Sequence, residues 1–206
     1  MTTIAIYTFM TLDGVAQSPG MPEEDPSGGF TLGGWQAPLF TEELGEIVAS
    51  WHANAGGLLL GRRTYEILAG HWPNVPDDHD FAPFAKLLNE LPKYVASTTL
   101  TSGDWGPTTV LRDLDAVTAL RDQDLGELLV IGSLDFAQTL IRHDLVDEYR
   151  IATMPVLLGT GKKLFGGGVI PTGLELVSSR TVAGGTTASV YRPTGAPAIG
   201  SHALEV

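Results

Sequence analysis

A chain of 206 residues, 43% hydrophobic and 17% charged, is long enough for one well-cored domain and cramped for two. The formal charge of −12 argues against a nucleic-acid or anionic-membrane surface, and the lack of cysteine excludes disulfides, thiolate metal sites and cysteine nucleophiles. No stretch approaches the ~18 consecutive apolar residues of a membrane span, and the first residues lack a signal peptide's basic start, so the expectation is a soluble cytoplasmic protein.

Ile4 to Met10 is rich in β-formers and ends in Thr11-Leu12-Asp13-Gly14, a strand followed by a turn. Gln17 to Pro38 is rich in glycine and proline without sustained periodicity, and a loop of that length in a compact domain is usually functional or mobile. Trp35 within it either stacks on an aromatic ligand or pins the loop to the core. Thr41 caps a helix running to about His52, with Leu44, Ile47, Val48 and Trp51 as its apolar stripe. All 12 lysines and arginines lie at or after Arg62, so an anion must be met by the later part of the chain.

Gly57 to Glu66 organises the rest. Leu58 to Leu60 is a short apolar run of the kind buried on both faces, Gly61 ends it, and Arg62 and Arg63 follow at once. Thr64 is read as the N-cap of a short helix through Glu66 to Ala69. Two guanidinium groups at a helix start outline a phosphate site. In the loop from Asn74 to Asp80, Asp77, Asp78, His79 and Asp80 are adjacent, and neighbours along a loop seldom converge on one ion, so no metal site is assigned.

Phe81 to Asn89 reads as a helix and Lys93 to Ser97 as a strand, whose end carries the hydroxyls of Ser97, Thr98 and Thr99. These either meet phosphate oxygens or form a simple polar turn. Thr108 to Leu111 is a further strand, and Asp113 caps a helix with Leu114, Val117, Leu120 and Arg121. Leu128 to Ile131 is another buried run; it feeds Gly132-Ser133 and a helix from Leu134 to His143, a second anion site by the same physics, with the Ser133 hydroxyl expected to cap that helix and still face a phosphate. Leu174 to Arg180 and Thr187 to Tyr191 form a closing antiparallel hairpin, and the tail after Pro193 is expected to fray.

Gly61-Arg62-Arg63-Thr64, with Tyr65 and Glu66 behind it, resembles the cofactor-binding turn of the dihydrofolate reductase superfamily. Leu145-Val146-Asp147-Glu148, then Pro155, Leu158-Gly159-Thr160-Gly161 and Leu164-Phe165, resemble the reductase domain at the C-terminus of the bacterial bifunctional deaminase-reductase of riboflavin biosynthesis. The resemblance covers roughly Thr3 to Arg192, one domain over residues 1–193 with the tail at 194–206. It implies a three-layer α/β fold with a mostly parallel sheet and an antiparallel C-terminal hairpin.

The resemblance further implies an NADPH-dependent reductase similar to 5-amino-6-(5-phosphoribosylamino)uracil reductase, acting on a small aromatic or heterocyclic substrate. Dihydrofolate or pterin reduction is one alternative, a non-catalytic ligand-binding protein another. NADPH would be held by Val15, Ala16, Gly61, Arg62, Arg63, Thr64, Ser97, Thr98, Thr99, Ile131, Gly132, Ser133 and Leu134. The substrate would lie among Asp13, Trp35, Phe40, Trp72 and Leu158, with Asp13 orienting it or relaying a proton. Phe40 falls where dihydrofolate reductases carry a buried acid, which disfavours folate reduction. Related reductases pair, and the apolar stretches Val156 to Leu158 and Val169-Ile170 exceed what one sheet edge buries, so a homodimer is expected.

Overall fold

Strand β1 (Thr3–Thr11) sits at the centre because its residues leave it no exposed face: Ile4, Ala5 and Ile6 are all buried, and each edge must find a partner strand. The computed structural model describes residues 1–167 and 169–202. After β1 come α1 (Glu42–His52), β2 (Ala55–Gly61), α2 (Arg62–His71), α3 (Ala82–Glu90), β3 (Lys93–Ala96), β4 (Thr108–Leu111) and α4 (Leu114–Thr118). β5 (Glu127–Ile131), α5 (Leu134–Arg142), β6 (Glu148–Met154), β7 (Gly173–Thr181) and β8 (Thr187–Gly195) complete the chain.

Among the described residues the strands form one sheet in the order β4-β3-β2-β5-β1-β6-β8-β7. Neighbours from β4 to β6 pair in parallel; β8 runs antiparallel to β6, and β7 antiparallel to β8. Side-chain alternation divides the core into layers. Ile4, Ile6, Leu59, Leu128 and Val130 pack against α4 and α5, whereas Ala5, Leu58, Leu60 and Leu129 pack toward Tyr65 of α2 and Leu88 of α3. Tyr7, Ala152 and Met154 face α1. This is the three-layer arrangement expected.

The caps at Thr41 and Asp113 form as read: each side-chain oxygen accepts an amide of the first turn, from Leu44 and Ala116. The cap at Thr64 does not. α2 begins at Arg62 with Gly61 in the cap position, and the Thr64 hydroxyl, now inside the first turn, accepts the Ser133 amide instead. A tertiary partner outcompeted the local one. β8 continues through Gly195, beyond the boundary expected at Pro193, while residues 203–206 lie outside the described residues.

The Leu145-Val146-Asp147-Glu148 run also has a physical role. Asp147 accepts the Ile4 amide and a two-pronged contact from Arg121, which ties the start of β1 to the turn after α4. Glu148 accepts Arg150 and Arg192. Arg150 in turn grips Glu127 with both terminal nitrogens and the Trp51 carbonyl at the end of α1, fastening α1 to the N-terminal ends of β5 and β6.

Lys93 is fully buried; its ammonium donates to the Asn89 carbonyl at 2.8 Å and lies 4.3 Å from the centre of the Trp105 ring. Burial lowers its pKa from 10.5 to about 8. Between those values the unfolded chain binds a proton that the native chain has released, so stability rises with pH through this window. Above about 10 the buried Tyr7 phenol acts oppositely, since its pKa is raised and the unfolded state loses its proton first. The clean interval is therefore pH 8 to 9.5, across which urea unfolding should show a gain of about 2 kcal/mol. Lys93→Met should remove that gain, and an identical slope in both proteins would count against it.

Candidate cofactor and substrate site

The C-terminal ends of the parallel strands gather the residues singled out in the sequence. Gly61 and Gly132 end β2 and β5, and the two turns are bound to each other: the Gly61 amide donates to the Ser133 hydroxyl at 3.0 Å, and the Ser133 amide to the Thr64 hydroxyl at 3.0 Å. A Cβ at Gly61 would rest in ordinary contact 3.4 Å from that of Phe136, whereas Gly132 has a φ of 55°, which favours glycine. Because the Ser133 hydroxyl is committed to Gly61, it does not cap α5, which corrects the expectation. Neither α2 nor α5 has a side-chain cap, so two helix N-termini lie side by side with donors open to an anion.

Beside them opens a cleft of about 530 Å³ between α5 and the ends of β3 and β4. Arg62, Ser97, Thr98 and Thr99 line it together, as expected. It also contains Arg112, Phe136 and Thr139, which the sequence reading missed. Arg112 directly follows the strand end at Leu111, the same placement that drew attention to Arg62. Arg112 donates to the Ser97 carbonyl at 3.3 Å; among the described residues Arg62 pairs only with Glu66 on its own helix, at 3.0 Å. Both guanidinium groups are at the surface, where such contacts exchange readily for a better anion. Arg63 does not join the cleft and instead pairs with Asp25 of the long loop.

On the opposite side of the turns the first loop is clamped. The Thr11 hydroxyl at 2.6 Å and the Gly159 amide at 2.8 Å, with the Leu158 amide at 3.2 Å, hold the Asp13 carboxyl at about 2. At neutral pH Asp13 is a carboxylate, and its contacts tie the first loop to the 157–159 turn. Val15 and Ala16 are buried with their side chains in the core, as is Leu134, so a ligand would meet these positions through backbone atoms.

Trp35 pins the loop: it is buried and its indole N–H donates to the Gln17 carbonyl at 2.8 Å. Trp72 packs between α2 and α3 against Phe84, with ring centres 5.2 Å apart, away from the cluster that holds Trp35. Phe40 packs between two other rings. A row of edge-on rings climbs from Tyr7 to Phe9 at 5.3 Å, Phe9 to Phe40 at 6.1 Å and Phe40 to Phe81 at 6.1 Å, ending on half-exposed Phe81 with His79 stacked upon it. Leu158 and Ile131 pack at the border of the same cluster. At its base His52 donates from Nδ1 to the Val48 carbonyl, and burial lowers its pKa, so the ring stays neutral.

The family model described as RibD C-terminal domain matches residues 2–188. An uncharacterized protein of Bacillus subtilis, YyaP, is 29% identical over 140 residues, 67% of this chain and 74% of that protein. Among solved structures, a putative riboflavin biosynthesis protein from Shewanella sp. PV-4 superposes with a TM-score of 0.64 at 19% identity, covering 93% of this chain and 99% of that one. A dihydrofolate reductase from Enterococcus faecalis, solved as a complex with NADP(H), gives a TM-score of 0.57 at 13% identity, covering 93% of this chain and 96% of that one. The fold is therefore dihydrofolate reductase-like.

Proposed function

Because the chain belongs to the RibD C-terminal domain family, we propose that it is an NADPH-dependent reductase of a small, uncharged aromatic or heterocyclic substrate. The observation that carries this reading is the cleft that joins Arg62, Arg112 and the Ser97–Thr99 hydroxyls beside two uncapped helix N-termini. That donor set suits the 2′-phosphate at one end and the pyrophosphate next to it. A bound nicotinamide would supply the hydride. The chain's own part is to hold the phosphates, to keep the first loop fixed through Asp13, and to offer the Phe9, Phe40 and Phe81 rings to a planar substrate. Loss of NADPH absorbance in the presence of carbonyl, imine and pterin substrates tests the activity, and saturable NADPH binding without turnover on any of them would favour a ligand-binding protein.

The substrate is proposed to lack a phosphate. No lysine or arginine precedes Arg62, and two of the basic residues near the first loop, Arg63 and Lys162, pair with Asp25. Lys163 bridges Val15 through its backbone, lies with its Cδ beside Gly14 and is the basic side chain that a comparison of phosphorylated and dephosphorylated substrates has to test. An uncompensated buried charge carries a penalty of several kcal/mol, on the order of a thousandfold in affinity. The dephosphorylated form of the riboflavin intermediate should therefore be reduced in preference to the phosphorylated one. The reverse preference, lost in Lys162→Ala or Lys163→Ala, would relocate the anion site.

A homodimer is also proposed. Leu174, Leu176 and Val177 stand exposed on β7, the outermost strand, with Leu157 and Ile170 exposed in the segment before it. An apolar edge strand of this length needs a cover. Light scattering should return twice 21.8 kDa at micromolar concentration, falling to a single mass in Leu176→Lys; a monomeric wild type would refute it.

A further inference from the structure

The long loop between Gln17 and Pro38 carries Asp25, where two cations from other elements meet. Arg63, in the first turn of α2, donates to one carboxylate oxygen at 3.3 Å, and Lys162, in the 159–163 turn, donates to the other at 3.0 Å. The carboxylate is held in place by its own loop. The Gln17 side-chain amide donates to the Asp25 and Ser27 carbonyls, the Ser18 hydroxyl accepts the Asp25 amide, and the Gln17 oxygen accepts the Lys162 amide. Although burial pushes the Asp25 carboxyl up, hydrogen bonds from Ser27 and Lys162 and the Lys162 charge bring it below its usual range. Asp25 is thus an anion delivered by the loop to a cationic pair that stands beside the uncapped start of α2.

That pair has more capacity than one carboxylate uses. The Arg63 side chain is 59% exposed and, among the described residues, makes a single long contact, so a second anion can reach it without unpacking the core. Asp135 of α5 lies 3.9 Å from Lys162, which places the cluster across the first turns of both helices. We infer that Asp25 is an internal counter-anion, displaced from Arg63 and Lys162 by a bridging pyrophosphate group, so that the loop is latched in the free protein and released as that group arrives. The inference rests on the reading of the chain as a dinucleotide-binding protein. The Trp35 indole on the Gln17 carbonyl holds the base of the loop in either state, whereas the Gln17 side-chain contacts to Asp25 and Ser27 and the Ser18 contact to Asp25 open with the latch, so the change is confined to the stretch between Ser18 and Gly34.

Two measurements test it, neither of which needs turnover. Asp25→Asn keeps the side chain's shape and its acceptor for Ser27, and should speed hydrogen exchange of the 19–34 amides about tenfold while leaving β1 and β5 unchanged, the equivalent of about 1.4 kcal/mol of local opening. Calorimetric titration with inorganic pyrophosphate should show about tenfold tighter binding to Asp25→Asn than to wild type, with the gain lost when Arg63→Ala and Lys162→Ala are added. Unchanged exchange, or equal or weaker pyrophosphate binding by Asp25→Asn, would overturn the latch. NADPH titrated in parallel separates the premises: pyrophosphate binding as expected with no NADPH binding by either protein upholds the latch and refutes the dinucleotide reading.

Discussion

Arg150→Met should lower the stability of the protein by about 3–5 kcal/mol, the usual result of removing one partner from a buried ion pair. The Arg150 side chain is 12% exposed, Glu127 18% and Glu148 14%, so removing the guanidinium strands the Glu127 carboxylate in a poorly solvated place and leaves Glu148 to Arg192. It also frees the Trp51 carbonyl in the C-terminal turn of α1. In thermal unfolding this corresponds to a fall in Tm of roughly 6–20 °C for a chain of this size. Replacing Glu127 by Gln in the same chain should recover part of the loss, because the stranded charge rather than the missing contact dominates. A single variant as stable as wild type would mean that water reaches this network.

Arg62→Ala and Arg112→Ala should together abolish preference for NADPH over NADH. One charged hydrogen bond to a phosphate contributes about 1.5–3 kcal/mol, or roughly 10–150-fold in affinity, and each single variant should lose that much for NADPH. NADH, with no 2′-phosphate, should bind wild type and variants alike. The Arg62–Glu66 pair, exposed and within one helix, adds little to stability, so its loss should not disturb the fold. Fluorescence or calorimetric titration of both cofactors against all four proteins decides the matter; equal affinity of wild type for NADPH and NADH would sink the assignment of this cleft to the 2′-phosphate.

Most of the fold was legible in the sequence because its signals are local. The β-formers of Ile4–Met10 and the short apolar runs at Leu58–Leu60 and Leu128–Ile131 read as strands, and the side-chain caps at Thr41 and Asp113 act within one turn of helix. The meeting of Arg62 with Ser97, Thr98 and Thr99 was readable for the same reason, since a strand end followed by a turn must lie at the sheet's C-terminal rim in a parallel fold.

What the sequence by itself determined, then, was the sheet, its helices and the rim that carries the anion-binding groups. Tertiary structure alone decided which side chains on that rim are free. Thr64 and Ser133 became each other's partners across two turns 69 residues apart; Trp35 was drawn into the core by Gln17, and Asp13 was held ionised by amides of the 157–159 turn. Arg63 was claimed by a carboxylate 38 positions earlier, whereas Arg112 was left open in the cleft. The physical reason is common to all of these. A polar side chain's role depends on which donor or acceptor is nearest once the chain is packed, and for these residues the nearest one lies far away in sequence.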